Sequence, residues 1–199
     1  MKTKTHQVIA LLWAVSTSIS FASTSKAAST PDDAVVAYNR KDYATVFKIF
    51  TDMANQGDAF AQTFIGWMYD NGEGVPENDA EAVKWFRKAA DQGHVRAQVF
   101  LATRYASGNG VQKDLVESAK WFTRAAELGD VNAQVSLAAM YDKGEGLTAD
   151  LVQAYKWVSI AANRGAGKAK TLRDALVKKM SPAQIEEAER LVVGWKPTS

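Results

Sequence analysis

Residues 93–128 read GHVRAQVFLATRYASGNGVQKDLVESAKWFTRAAEL, and the 36 residues on either side repeat their plan. Glycine recurs at Gly57, Gly93, Gly129 and Gly165, tyrosine at Tyr69, Tyr105 and Tyr141, and tryptophan at Trp85, Trp121 and Trp157. The pairs Gly72/Gly74, Gly108/Gly110 and Gly144/Gly146 keep the same interval. A period of about 20 to 50 residues marks stacked supersecondary units, none able to bury its apolar face alone. Such arrays present surface for binding more readily than they build a catalytic pocket.

Each unit reads as two helices. The first spans roughly 59–70 in the leading unit and stops at Asn71-Gly72-Glu73-Gly74, where glycine supplies the left-handed residue that closes a helix. Val75, Val111 and Leu147 follow as the apolar contact of that closure. The second helix opens at Asn78, Asp114 or Asp150, with Glu81, Glu117 or Gln153 three residues on, the pattern of a reciprocal cap. It stops before Gly93, Gly129 or Gly165.

Helical spacing sorts the faces. In the first helices Ala61, Gln62, Ile65 and Tyr69 share one side, and Ala97, Gln98, Leu101, Tyr105 and Ala133, Gln134, Leu137, Tyr141 repeat them. In the second helices the recurring set is Ala82, Trp85, Phe86, Ala89 and its counterparts around Trp121 and Trp157. Alanines that let helices approach, alternating with large rings that fill the gaps, read as core. The tryptophans are therefore expected inside.

The pattern wears out at both ends, as stacked repeats require. Val46, Ile49, Phe50 and Ala54 lie one period before Ala82, Trp85, Phe86 and Ala90, so 42–50 reads as a second helix with a short partner over 32–40. Downstream, Gly165 opens a helix that keeps Ala169 but loses the tyrosine. Ser181-Pro182 then starts a last helix to about Val193 that closes the stack. The organisation expected is 1–28 signal peptide and flexible start, 29–56 degenerate helix pair, 57–164 three full repeats, and 165–199 a degenerate helix plus a capping helix.

The start of the chain reads as an export signal. Lys2 and Lys4 precede the apolar run Val8 to Val15, and small residues follow at Ser20-Phe21-Ala22 and Ser25-Lys26-Ala27. The run is much shorter than the about 20 apolar residues a membrane anchor needs. Cleavage after Ala22 or a few residues later would leave a periplasmic or secreted protein with no stable membrane span. The chain has no cysteine, which excludes disulfides, thiol nucleophiles and thiolate metal sites together. Without Lys2 and Lys4 the balance is 22 basic against 22 acidic residues, no basis for holding nucleic acid. The charge is uneven: 32–92 carry 6 basic and 11 acidic residues, 93–199 carry 15 and 11. Lys168, Lys170, Arg173, Lys178 and Lys179 form the densest basic cluster, either a solvated face or a docking patch for an acidic partner or lipid headgroups.

The unit Ala-Gln-x-x-(Leu/Ile)-(Gly/Ala)-x-x-Tyr-x-x-Gly-x-Gly-(Val/Leu), followed by Ala-x-Lys-Trp-(Phe/Val)-x-x-Ala-Ala-x-x-Gly, resembles the Sel-1-like repeat, a relative of the tetratricopeptide repeat. The resemblance covers 57–164, and 32–180 in degenerate form. It implies an all-α fold, an α/α superhelical solenoid of stacked antiparallel helix pairs whose inner surface binds proteins or peptides. Exported bacterial members are similar in role to adaptors: regulators of sensor kinases, scaffolds of exopolysaccharide assembly, or immunity proteins against secreted toxins. A cysteine-rich branch is associated with penicillin binding, and this chain lacks the paired cysteines of that branch.

If the recurring residues make the core, the opposite side of each first helix is free to meet a partner. There the leading repeat carries Phe60, Thr63, Phe64, Trp67 and Asn71, the next Arg96, Val99, Phe100, Thr103 and Ser107, and the third Asn132, Val135, Ser136, Ala139 and Lys143. Phe60, Phe64 and Trp67 form an aromatic stripe on a face expected to be solvated. The partner site is placed on Phe60, Phe64, Trp67, Arg96 and Phe100, unless the N-terminal helix pair or a second copy of the chain covers those rings.

No catalytic group, metal or cofactor is expected. Beyond the start of the chain His94 is the one histidine, standing where the other repeats have Asp58 and Asp130, and it reads as a helix-entry residue. The glycine loops lack the Lys-Ser/Thr of a phosphate cradle. The expected function is an exported repeat protein that binds another protein of the cell envelope as adaptor, scaffold or inhibitor. An immunity protein, and more remotely an envelope hydrolase, are the alternatives; the hydrolase would need a nucleophile or carboxylate pair that the sequence does not offer.

Overall fold

The structure, a computed structural model, describes residues 30–198, so the signal-peptide reading of 1–28 lies outside the described residues. Among them there are ten helices and no strand. They are α1 Pro31–Asn39, α2 Tyr43–Asn55, α3 Ala59–Asn71, α4 Asp79–Asp91, α5 Val95–Ser107, α6 Leu115–Glu127, α7 Val131–Lys143, α8 Leu151–Asn163, α9 Gly167–Val177 and α10 Pro182–Gly194. Each helix from α1 to α9 packs on its neighbours in sequence, and α10 folds back onto α8. The fold is an α/α superhelical solenoid. No helix among the described residues is long and apolar enough to cross a membrane.

Local chemistry sets the helix ends. The side chains of Asn78, Asp114 and Asp150 accept the backbone N–H of Glu81, Glu117 and Gln153. The reciprocal half of the cap does not form in these repeats: the Glu81 and Glu117 carboxylates turn to Lys84 and Lys120 instead. Complete capping boxes stand at the two ends of the array, at Thr30/Asp33 and Ser181/Gln184. Gly72, Gly108 and Gly144 close the first helices in the left-handed region.

The recurring glutamine joins successive units. Gln62, Gln98 and Gln134 are buried, and each Nε2 donates to a carbonyl in the last turn of the preceding second helix, those of Ala54, Ala90 and Ala126. A helix end leaves such carbonyls without a partner, and here the next repeat supplies it.

Two tryptophans sit where expected, Trp121 at 3% and Trp157 at 4% exposure. Trp85 is a correction: it is only half-buried, with the Lys88 ammonium 4.0 Å above its ring. The N-terminal core holds Ala34, Val46, Ile49, Phe50, Phe64, Ile65 and Met68, and Trp67 and Tyr69 pack against both it and the core of the later repeats.

Candidate functional site: the first-helix face

The aromatic stripe does not stand free. Phe64 is 2% exposed, its ring centroid 4.2 Å from that of Phe50 in α2. Helix α2 thus covers the middle of the stripe, and Phe64, expected on the binding surface, belongs to the core. The physical reason is that α3 is packed between α2 and α4, so nearly every side of it is used. Thr63 is buried as well.

The other four residues stay at the surface to different degrees. Phe60 is half-buried, 6.2 Å from Phe50 and perpendicular to the His94 ring at 6.3 Å. Trp67 is half-buried with its ring 5.6 Å from Phe64. Phe100 is half-buried and stacks on Phe86 of α4 at 4.8 Å. Arg96 is exposed and makes no ion pair among the described residues. Ring contacts bring Phe60 together with His94, and Phe64 with Trp67.

Between these rings lies an arrangement that spacing alone did not reveal. His94 is the residue before α5, yet its side chain does not cap that helix. It reaches back to α3, where its Nδ1 lies 2.7 Å from Thr63 Oγ1. Thr63 spends its hydroxyl proton on the Ala59 carbonyl, 2.8 Å away. The neutral imidazole that fits this geometry therefore carries its proton on Nδ1 and donates it to Thr63. The expected helix-entry role gives way to a bond between successive first helices. A histidine where the other repeats have a capping aspartate was the only signal for it.

Burial pulls the His94 imidazole below its ordinary range; the Arg96 charge adds to this and Asp58 opposes it. Since the folded pKa lies below that of the unfolded chain, the neutral form is the one the fold prefers. Stability from this residue is then full above about pH 6.5 and falls as pH drops from there through the lowered pKa. Melting curves over that range test this. The gap in melting temperature between the wild type and His94→Gln should move in favour of the variant on acidification, and a constant gap removes the assignment.

A second cluster ties the same helices. The Arg104 guanidinium pairs with Asp70 at the end of α3 and lies 3.5 Å from Asp79 at the start of α4. Arg104 occupies the position of Met68 and Met140 in the neighbouring repeats, both buried. Its charge is met from the preceding repeat, a pairing that spacing alone did not indicate.

Further along, the face becomes polar. Asn132 and Lys143 of α7 are exposed, while Val135, Ser136 and Ala139 are half-buried. In α9, Ala169 and Leu176 are buried in register with Ala133 and Met140, which places exposed Lys168 one period after Asn132. No group of three or more potential metal ligands occurs among the described residues.

Residues 59–94, 95–130 and 131–165 each match the Sel1 repeat. No curated protein sequence matches the chain. Among solved structures, the chain is similar to a Sel1 repeat protein from Oxalobacter formigenes, with 32% identity and a TM-score of 0.65 over 68% of this chain and 56% of that one. It is also similar to c5321, a protective antigen present in uropathogenic Escherichia coli strains displaying an SLR fold, with 32% identity and a TM-score of 0.70 over 80% of this chain and 37% of that one. Thus it spans about half of the first relative's length and little more than a third of the second's. The cysteine rich protein B of Helicobacter pylori shares the fold, at 20% identity and a TM-score of 0.50, over 70% of this chain and 94% of that one.

Proposed function

We propose, from the premise that this chain belongs to the Sel1 repeat family, that it is an exported adaptor or inhibitor which holds a segment of another envelope protein against its first helices. Sel1 repeat proteins generally mediate protein–protein interaction, and the family is a scaffold for such contacts. The observation that carries the reading is the division of labour along the repeats. Recurring positions are consumed by packing, while Phe60, Trp67, Arg96 and Phe100 vary between repeats and keep exposed or half-exposed side chains. Aromatic and arginine side chains of this kind dominate interface energies. The export part of the proposal rests on the charged and apolar pattern of residues 2–27.

The partner would meet a preformed surface, so little ordering entropy opposes its capture. Trp67→Ala combined with Arg96→Glu tests the face with one half-buried ring and one exposed charge. Capture from a periplasmic extract, identified by mass spectrometry, should enrich one protein with the wild type and lose it at least about tenfold with the double variant. Equal capture by a double variant of unchanged helicity places the binding surface elsewhere.

A further inference from the structure

The second helices repeat a lysine before the tryptophan: Lys84, Lys120 and Lys156. In the first two repeats the glutamate three residues earlier neutralises it, Lys84 Nζ at 2.5 Å from Glu81 and Lys120 Nζ at 3.0 Å from Glu117. The third repeat has Gln153 at that place, and Lys156 is in no ion pair among the described residues. Lys156 is also the least exposed of the three: it is half-buried, whereas the side chains of Lys84 and Lys120 are 65% and 63% exposed.

What buries it is the C-terminal cap. Helix α10 packs on α8, and the segment after α10 turns back across the second helices. Trp195 meets the Trp157 ring edge-on at 6.1 Å, and the Thr198 N–H donates to the Glu127 carbonyl at 2.9 Å. This packing forms a concavity of about 350 Å³ lined by Lys156, Arg190, Leu191, Gly194, Trp195 and Lys196. Arg190 and Lys196 are in no ion pair either, among the described residues.

Three cations line one hollow, and partial burial disfavours the charge on Lys156. Burial pulls that ammonium below its ordinary range, with Glu127 offsetting part of the effect. The fold has a ready remedy, a glutamate at residue 153, and the third repeat departs from it. The Lys156 ammonium does lie 4.3 Å from the Trp157 ring centroid, a contact that leaves its other donors free.

We propose that this concavity is an oxyanion site: Lys156, Arg190 and Lys196 hold a phosphate or carboxylate group, and Trp195 and Leu191 contact the apolar part of the molecule that carries it. Lysine supplies up to three donors and arginine a planar fork suited to paired oxygens. A volume near the low end of small-molecule sites accommodates the anionic group with an attached fragment the size of a side chain. The site is built by α8, α10 and the segment beyond, none of which contributes to the first-helix face, and it stands whether or not that face binds a protein.

Trp157 and Trp195 give the experiment its signal. Intrinsic fluorescence of the full chain is titrated with sodium phosphate and, separately, with sodium acetate, each against sodium chloride at matched ionic strength. A saturable change with at least one oxyanion is expected, weakened at least about tenfold in Arg190→Ala/Lys196→Ala, whose two side chains are exposed and outside the core. Saturation by phosphate alone assigns a phosphoryl ligand, and saturation by acetate assigns a carboxylate. Neither anion exceeding chloride overturns the site, and so does a response that persists unchanged in a double variant of wild-type helicity.

Discussion

Gly110→Ala is expected to remove about 3–5 kcal/mol of stability, a large share of what a domain this size possesses. Gly110 has φ of 71°, and a Cβ there would lie 2.2 Å from the Asp79 carbonyl oxygen and 2.8 Å from the Ala80 nitrogen. Both atoms are backbone at the start of α4, so no rotamer change relieves the overlap. The same geometry recurs at Gly74 against Tyr43 and at Gly146 against Leu115, at 2.5 Å and 2.0 Å. Tyr43, Asp79 and Leu115 are each the first residue of a second helix. These glycines are therefore where one repeat lies backbone to backbone on the one before it.

Gly93→Ala is the matched control. Gly93 also has positive φ, 86°, but a Cβ there meets nothing within 4 Å. Its substitution bears only the left-handed strain of about 1–2 kcal/mol. Urea denaturation of the two variants separates the mechanisms, and a Gly110→Ala midpoint no lower than that of Gly93→Ala would show that the close approach is not structural.

Trp121→Ala is expected to cost about 3–5 kcal/mol as well, by the cavity it leaves. The ring is 3% exposed in the middle repeat, and the Arg124 guanidinium lies 4.5 Å from its centroid. Each repeat of a solenoid is held by its neighbours alone, so a hole at the centre weakens both interfaces and should lower the cooperativity of unfolding. Trp121→Phe separates volume from polarity. The indole Nε1 is buried without a hydrogen-bond acceptor among the described residues, so the smaller ring gives up no bond and should cost clearly less. Equal losses for Ala and Phe would move the weight from packing to the indole N–H.

The helices and most of the core were legible in the residues. Gly72, Asn78 and Gly93 punctuate the leading repeat and their counterparts do the same twice more; three copies of one pattern average out the noise of any single stop signal. The binding face was legible only in part. Trp67, Phe100 and Arg96 keep surface, but Phe64 does not, because Phe50 of α2 packs on it, one period before Phe86 packs on Phe100. The His94 contact was misjudged and the Arg104 pairing missed for one reason: each residue replaces a recurring one and finds its partner in the preceding repeat.

Sequence alone therefore determined the 36-residue period, the helix pairs and the alanine, tryptophan and glutamine positions that join them. Contacts that return with the same neighbours in every unit leave the same residues behind. Tertiary structure decided what happens once only: the His94–Thr63 bond, and the cap that gathers Lys156, Arg190 and Lys196 around one hollow. The first depends on one side chain that departs from the recurring pattern and the second on how the C-terminal end folds back on the regular part, and a contact made once imposes no period on the residues that make it.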